Sequence, residues 1–92
     1  MTPGQEPYLR ADKWLWYARF FKSRSIAAQA VSAGRVRVNG RKLSRASASV
    51  RVGDVLTVTI GRHVKVAQLL ALGARRGPAA EAQTLYLILD ES

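Results

Sequence analysis

Apolar and polar positions follow a helical period near the start of the chain. From Lys13 to Phe21, large apolar residues recur three and four positions apart, the spacing that places side chains on one face of a helix. The core-facing residues of this stripe are Trp14, Tyr17, Ala18 and Phe21. Asp12 precedes them and is a favoured residue type at a helix N-cap. The pattern predicts a first helix, with Trp16 and Phe20 either widening its apolar face or forming an exposed patch.

A second helical pattern follows directly. Ser23 is a candidate N-cap, and the segment from Arg24 to Ala33 places small apolar residues on one narrow face. These residues are Ala27, Ala30 and Val31. Gly34 suits the position just after a helix, where the backbone takes a left-handed conformation. The small residues favour close approach of the two helices, so the segments predict a compact helical pair.

The pattern then changes to a period of two, which is typical of strands. Arg35 to Val38 alternates strictly, with valines on one face and arginines on the other. Asn39-Gly40 follows, and this dipeptide favours a type I′ hairpin turn because both central residues need positive φ. A returning strand is predicted from Arg41 to Leu43, and the small polar residues 44–49 predict a loop.

Later segments predict the rest of an antiparallel sheet. Residues 50–54 form a short extended piece that ends in a Gly-Asp turn. Residues 55–60 alternate, and their inward positions are Leu56, Val58 and Ile60. Gly61-Arg62 suits a two-residue turn, so residues 63–69 are predicted to pair back on this strand.

The apolar residues near the carboxyl end fit two kinds of element. Pro78 is well placed at the start of a helix, and apolar residues recur beyond it at helical spacing, at Ala82, Leu85, Tyr86 and Leu89. The run from Leu85 to Leu89 equally fits a strand, and a helix is favoured.

These elements predict an α+β fold in which two packed amino-terminal helices lie on a small, mostly antiparallel sheet, with a short carboxyl-terminal helix. We expect a flexible lead-in over residues 1–9 and one domain over residues 10–72. Residues 73–92 would form a loop and helix packed on that domain.

Charge is distributed unevenly along the chain of 92 residues. The segment 10–45 contains ten Lys and Arg residues and one acidic residue, so its charge of +9 equals the net charge of the whole chain. These basic residues lack the neighbouring acids that would form ion pairs along a helix. They recur instead at helix starts, on one strand face and at the hairpin. The pattern indicates a surface for a polyanion, bound through its phosphates with an affinity that falls steeply with salt.

The remaining chemistry argues against catalysis and against a membrane location. The chain has no cysteine, which excludes disulfide bonds, thiolate catalysis and cysteine-ligated zinc. His63 is the single histidine and stands alone in a strand pattern. No apolar run approaches the roughly 18 residues of a membrane span, and the first residues do not resemble a signal peptide. We therefore expect a cytoplasmic, non-enzymatic binding protein that uses no cofactor and no metal.

Residues 10–42 carry several motifs in one register. They read RADKWLWYARFFKSRSIAAQAVSAGRVRVNGRK, with an Arg-x-Asp-Lys start, a Ser-Arg pair opening the second helix and a Gly-x-Val-x-Val-Asn-Gly stretch. This combination resembles the S4-type RNA-binding domain, also called the αL motif. The DKWLW and ARFFKSR stretches are closer still to the heat-shock protein 15 family of ribosome-associated proteins. The resemblance covers about residues 9–60.

The resemblance implies binding of ribosomal RNA on the large ribosomal subunit. Members of the family recognise large subunits that are blocked by a nascent chain on tRNA and help return them to use, so tRNA is an implied second partner and a stress response an implied setting. The residues implied to bind RNA are Arg10, Asp12, Lys13, Arg19, Lys22, Ser23, Arg24, Arg35, Arg37, Asn39, Gly40, Arg41, Lys42 and Arg45. Among them, Asp12 is expected to cap a helix or orient an arginine, because its charge repels phosphate.

The sequence departs from the family pattern at two places. Ala11 stands where the family usually has a larger apolar residue. Members often continue into a long basic helix, whereas Asp90 and Glu91 stand near the end of this sequence, so contacts made by such an extension are not carried over. Other proteins carry the domain as an appendage to pseudouridine synthases or tRNA synthetases.

Two other functions are consistent with the sequence. A DNA-binding helix-turn-helix protein would have a similar pair of short helices, although the second helix here offers alanines rather than side chains that read bases. An oligomeric scaffold would use Trp16 and Phe20 as an apolar contact, whereas a monomer is the expected state.

Overall fold

Short helices and strands follow one another closely along the chain. The computed structural model describes residues 7–92. In chain order its elements are β1 (Tyr8–Arg10), α1 (Ala11–Tyr17), α2 (Arg24–Ser32), β2 (Val36–Val38), β3 (Arg41–Lys42), β4 (Ser49–Arg51), β5 (Val55–Ile60), β6 (His63–Leu69), α3 (Ala79–Ala82), a 3₁₀ turn (Gln83–Leu85) and β7 (Tyr86–Glu91). The α+β architecture predicted from the sequence is confirmed.

The strands form one larger and one smaller antiparallel sheet. The five-stranded sheet has the order β3-β2-β5-β6-β7, and β1 pairs with β4 in a separate two-stranded sheet. The β5–β6 hairpin runs in continuous register from Val55 opposite Gln68 to Ile60 opposite His63. Its turn lies at Gly61-Arg62, as predicted, and Gly61 has a φ of 60°.

The helical pair covers one face of the larger sheet and forms the core with it. The largest fully buried side chains are Trp14, Leu15, Leu56, Leu69, Val31, Val36, Val50 and Val58. The indole Nε1 of Trp14 donates to the carbonyl of Ala71 at 2.9 Å, so the one polar atom of this ring has a partner inside the core. Trp16 and Phe20 are half-buried and pack against the core, so they widen the apolar face.

The first helix is shorter than predicted, and its start differs. It covers Ala11–Tyr17 rather than 13–21, because the next turn is broken at Arg19, whose φ of 63° is left-handed. The N-cap position belongs to Arg10, so the prediction of Asp12 as an N-cap is wrong. Asp12 lies inside the first turn, where its buried carboxylate pairs with arginine side chains.

The second helix agrees closely with its prediction. The hydroxyl of Ser23 accepts a hydrogen bond from the backbone N–H of Ile26 at 3.1 Å, which caps the helix. The helix ends at Ser32, one residue before the predicted Ala33. Gly34 follows with a φ of 78°, as expected for the residue that ends a helix.

The carboxyl-terminal segment forms a strand, so the helix expected there from the sequence is wrong. The helix α3 after Pro78 spans only Ala79–Ala82, and the run from Leu85 to Leu89 enters β7. β7 pairs antiparallel with β6, from Leu69 opposite Tyr86 to Lys65 opposite Glu91. Strand pairing prevails because β6 would otherwise present a row of unpaired backbone groups at the sheet edge.

Two smaller predictions also differ from the structure. Tyr8 and Leu9, expected in a flexible lead-in, belong to β1, and Ser49, expected in a loop, belongs to β4. Residues 1–6 of the predicted lead-in lie outside the described residues. Over residues 7–92, no helix has the length and apolar character that crossing a membrane requires.

Candidate nucleic-acid interface

A buried carboxylate joins the starts of the two helices. Asp12 is 3% exposed, and its two oxygens accept hydrogen bonds from Nε and Nη2 of Arg10 at 3.1 and 3.0 Å. Nε of Arg24, the first residue of α2, lies 3.5 Å from Oδ2 of the same carboxylate. The two arginine side chains are about half exposed, so one side of each guanidinium remains open to a ligand. Asp12 therefore orients both arginines.

The charge state of this cluster follows from its surroundings. Burial raises the pKa of Asp12, but the hydrogen bonds and charge of Arg10, the charge of Arg24 and a hydrogen bond from the Lys13 backbone outweigh it. The pKa of Asp12 is therefore held below its ordinary value, and the hydrogen bond to Asp12 raises the pKa of Arg10. At neutral pH the cluster consists of one anion between two cations, with a net positive charge.

The hairpin between β2 and β3 presents a second group of basic residues. Asn39 and Gly40 have φ values of 52° and 82°, as the predicted type I′ turn requires. The side chain of Asn39 accepts from the backbone N–H of Val55 at 2.9 Å and donates to Asp54 at 3.1 Å. The guanidinium of Arg37 donates to the carbonyl of Gly40 at 3.4 Å. The hairpin tip is thus fixed to β5 rather than projecting freely.

One basic side chain of the hairpin lies against the end of α2. A Cβ built on Gly34 would come within 2.9 Å of Cδ of Lys42, so the stem of this lysine crosses the backbone just after the helix. Gly34 is favoured as glycine by its left-handed φ, because the flexible end of the Lys42 side chain could move aside for a Cβ.

The loop that follows the hairpin returns to the first helix. The backbone N–H groups of Ala11 and Asp12 donate to the carbonyls of Ala48 and Ala46, at 2.7 and 3.2 Å. These bonds bring the exposed Arg45, one residue before Ala46, to the region of the Asp12 cluster. The loop satisfies the first N–H groups of α1, which explains how the helix begins without a side-chain cap.

The turn between the helices carries the third group of predicted residues. Arg19 is exposed, and its Nε donates to the carbonyl of Gly77 at 2.6 Å. Lys22 is exposed, while the hydroxyl of Ser23 is engaged in capping α2. The Ser23 side chain therefore caps α2, and the Asn39 side chain fixes the hairpin tip. Arg19 bonds a residue that is distant in sequence, Gly77.

The predicted residues do not all meet in one cluster. Contacts join Arg10, Asp12 and Arg24, and the loop brings Arg45 towards them, whereas the hairpin and the interhelical turn are held by separate bonds. Arg35 and Arg41 are exposed, and the half-buried Lys13 places its Nζ 5.7 Å from the ring centre of Tyr17.

Sequence reasoning missed basic residues outside the segment 10–45 that contact this region, among them Arg76. Arg76 lies outside the segment 10–45, yet its Nε donates to the carbonyl of Trp16 at 3.2 Å and its guanidinium lies 5.8 Å from the centre of the Trp16 ring. Its position in a loop of mixed small and basic residues gave no periodic signal that would have located it.

Side chains that could ligate a metal ion do not cluster in the described part of the chain. Among residues 7–92, no group of three histidine or acidic side chains lies close enough together to hold a metal ion.

Comparison with known proteins agrees with this geometry. The S4 domain family model matches residues 9–56. A solved structure, described as the trimeric structure of Vibrio cholerae heat shock protein 15, superposes with a TM-score of 0.83 at 40% identity, covering 88% of this chain and 81% of that one.

Curated relatives extend the comparison. The heat shock protein 15 homolog of Haemophilus influenzae is 42% identical over 95% of this chain, which spans 66% of that relative, about two thirds of its length. The RQC P-site tRNA stabilizing factor of Bacillus subtilis is 35% identical over 90% of this chain and 94% of its own length. With the family model, the shared architecture and these identities, the chain belongs to the S4 domain family and, within it, resembles the heat shock protein 15 proteins.

Proposed function

We propose that this protein binds structured ribosomal RNA on the large ribosomal subunit, without catalysing a reaction. The observation that carries the proposal is the Asp12 cluster, in which a buried carboxylate orients Arg10 and Arg24 with each guanidinium half open. Guanidinium groups held in a fixed arrangement are suited to phosphate oxygens, which accept two hydrogen bonds from one fork. The hairpin side chains Arg37 and Lys42 extend the same chemistry from β2 and β3.

The form of this surface favours RNA recognised by shape. Its basic residues come from two helix starts, a turn and a hairpin, and each element is fixed to its neighbours by hydrogen bonds. A rigid spread of cations suits phosphates and 2′-hydroxyl groups at defined positions on a folded RNA. α2 is poor in base-reading side chains and buries its apolar face against α1, which disfavours insertion into a DNA groove.

The finer proposal concerns the state of the subunit. The Bacillus relative is named for stabilising a P-site tRNA, and the heat shock protein 15 relatives are named for a stress condition. From these relatives we infer that the present protein recognises large subunits that still carry a nascent chain on tRNA. It would help to return those subunits to use. A cytoplasmic location follows from that partner. The proposed contacts are the basic residues among those predicted from the family pattern, whereas Asp12, Ser23 and Asn39 hold the elements that present them.

Co-sedimentation tests both levels of the proposal. Purified protein is centrifuged with intact ribosomes, isolated small and large subunits, and large subunits blocked by a nascent chain on tRNA. We expect binding to large subunits at low salt and a preference for the blocked form. Equal binding to every particle would leave only general RNA affinity, and no binding at low salt would refute the proposal.

The assembly state is a separate prediction. The Vibrio relative is described as trimeric, whereas a monomer is expected from the present sequence. Trp16 and Phe20 are engaged within the chain, by Arg76 and Tyr86 respectively, which argues against their use as an oligomer contact. Sedimentation velocity at several protein concentrations checks this expectation, and a trimer would contradict it.

A further inference from the structure

We propose that Arg76 is a positioning residue for RNA binding, which fixes the turn between α1 and α2 although it lies outside the basic segment 10–45. This inference rests on the proposed function, because its effect on RNA passes through the turn. The turn, residues 18–23, carries the exposed Lys22 and leads directly into Arg24.

One guanidinium spans the two ends of this turn. Nε of Arg76 donates to the carbonyl of Trp16 at 3.2 Å, and Nη2 lies 3.5 Å from the carbonyl of Phe21. Trp16 is the second-last residue of α1, and Phe21 stands three residues before α2. The same guanidinium stacks by the Trp16 ring, with 5.8 Å between Cζ and the ring centre. Arg76 therefore fixes the exit from α1 relative to the approach to α2.

The loop and the turn also exchange hydrogen bonds in the opposite direction. Nε of Arg19, in the turn, donates to the carbonyl of Gly77, which directly follows Arg76. Arg19 holds a left-handed φ of 63°, a conformation that a non-glycine residue keeps only when its surroundings support it. Arg19 in the turn and Arg76 in the loop each bond a backbone carbonyl of the other segment, so the turn and the loop are fixed to one another.

The loop itself is held in place by further contacts. Gly77 is buried beneath the side chain of Glu81, where a Cβ would collide with the carboxylate. Arg75 holds that carboxylate by two hydrogen bonds, at 3.0 and 3.2 Å. The chain at Gly73 runs close to Leu85 and Tyr17, since a Cβ built there would lie 3.2 Å and 3.7 Å from these side chains. The loop is a fixed support, so a guanidinium attached to it can fix the turn.

The chemistry of the contact requires arginine. Near the end of α1, the Trp16 carbonyl accepts the backbone N–H of Arg19 at 3.1 Å and retains a second lone pair and partial negative charge, which attract a cation. A planar fork reaches two carbonyls at once, whereas the ammonium of lysine is a point charge on a flexible stem. Replacing Arg76 by lysine therefore keeps the charge but loses the bridge.

A double-mutant cycle tests the inference. The affinity for a folded fragment of large-subunit ribosomal RNA is measured by filter binding for Arg76→Ala alone and combined with Lys22→Ala or Lys42→Ala. We expect Arg76→Ala to bind roughly fivefold to tenfold more weakly, as the loss of about one to two hydrogen bonds would give. In the Lys22→Ala background the further loss should be small, because the displaced cation is already absent. In the Lys42→Ala background the full loss should remain.

Three controls separate positioning from other roles. Arg62→Ala removes the same charge from the exposed turn between β5 and β6, which takes no part in fixing the loop, and should bind nearly as well as the wild type. Arg76→Lys should not restore affinity. In amide NMR spectra of the free proteins, Arg76→Ala should shift the signals of residues 18–23 and leave those of residues 37–42 in place.

Each contrary result has a definite meaning. Equal losses in both backgrounds, or wild-type affinity for Arg76→Lys, would overturn the inference and make Arg76 a direct phosphate contact. NMR shifts across the whole chain with a lowered melting temperature would overturn it in favour of a general structural role. If the expected NMR shifts occur but the wild type fails to bind RNA, the proposed function fails while the role of Arg76 in holding the turn stands.

Discussion

Arg24, the first residue of α2, places its Nε 3.5 Å from the carboxylate of Asp12, in the first turn of α1. This ion pair joins the two helices at the point where both present basic side chains. The one acidic residue of a strongly basic segment is thus a partner of the cations around it, and it is buried where a phosphate would not reach it. Its effect on RNA binding should therefore be opposite to its charge.

Replacing Asp12 by asparagine tests this directly. The change raises the net charge by one, so a purely electrostatic surface would bind RNA more tightly. We expect weaker binding instead, by about tenfold, because asparagine keeps one acceptor oxygen but replaces the other by an NH2 donor and removes the charge that orients Arg10 and Arg24. Filter binding at low salt measures the effect. Asp90→Asn, which raises the charge equally at an exposed strand end, is the matched control and should bind as well as the wild type or slightly better. Tighter binding by Asp12→Asn would contradict the positioning role.

The pH dependence of stability should report the same carboxylate. The pKa of Asp12 is held below its ordinary value, despite burial, by Arg10 and Arg24. Its contribution to the free energy of unfolding is therefore fully present above the unfolded pKa of about 3.9 and is lost as the pH falls through the lower folded pKa. Urea unfolding of wild type and Asp12→Asn should differ by about 1–3 kcal/mol at neutral pH, with the gap closing below about pH 4. A difference in unfolding free energy that persists at the most acidic pH would show that the charge of Asp12 does not cause it.

Removing Arg24 and Arg37 together should weaken RNA binding without unfolding the protein. Arg37 is exposed and the Arg24 side chain is 42% exposed, and the Arg37 side chain bonds only the carbonyl of Gly40 within the described part of the chain. If each neutralises one phosphate, the slope of log K against log salt should fall by about 2. The measurement is filter binding across a salt series, with the melting temperature recorded in parallel. The variant Arg62→Glu lowers the net charge by the same two units at the exposed turn between β5 and β6 and is the matched control. Unchanged low-salt affinity, or an equal loss in that control, would rule out this face.

The hairpin tip should depend on Asn39 for stability. Replacing Asn39 by alanine removes its side-chain bonds to Val55 and Asp54. It also places a residue that disfavours the left-handed conformation at a φ of 52°. We expect a loss of about 2–3 kcal/mol in the free energy of unfolding, measured by chemical denaturation. Glycine accepts the left-handed conformation but forms no side-chain bonds, so Asn39→Gly should recover only part of the loss. If Asn39→Gly were less stable than Asn39→Ala, this separation of the backbone contribution from the side-chain contribution would be wrong.

Local chemistry explains which parts of the fold could be predicted. Ser23, Gly34 and Asn39-Gly40 each satisfy a requirement of the backbone within a few residues, so their roles follow from residue type and position. The alternation in β2 and β5 likewise places Val36, Leu56 and Val58 on the buried face. For the same reason, the basic residues could be placed on particular elements before the structure was known.

Interactions between distant residues explain what could not be predicted. The run from Leu85 to Leu89 fits a helical and an extended pattern equally well, and only the free edge of β6 makes it a strand. Asp12 has the residue type of an N-cap, but Arg10 and Arg24 engage its carboxylate instead. The contact of Arg76 with Trp16 joins residues 60 positions apart, and no pattern within either segment reveals it.

The small sheet of β1 and β4 has a consequence for the basic segment 10–45. Tyr8 lies opposite Arg51, and Arg10 lies opposite Ser49, so the two strands hold the chain before and after this segment side by side. Closing the segment into a loop restricts the positions of its two ends and so reduces the conformational freedom that would be lost on binding. The strand pair thereby preorganises the basic surface from both of its ends.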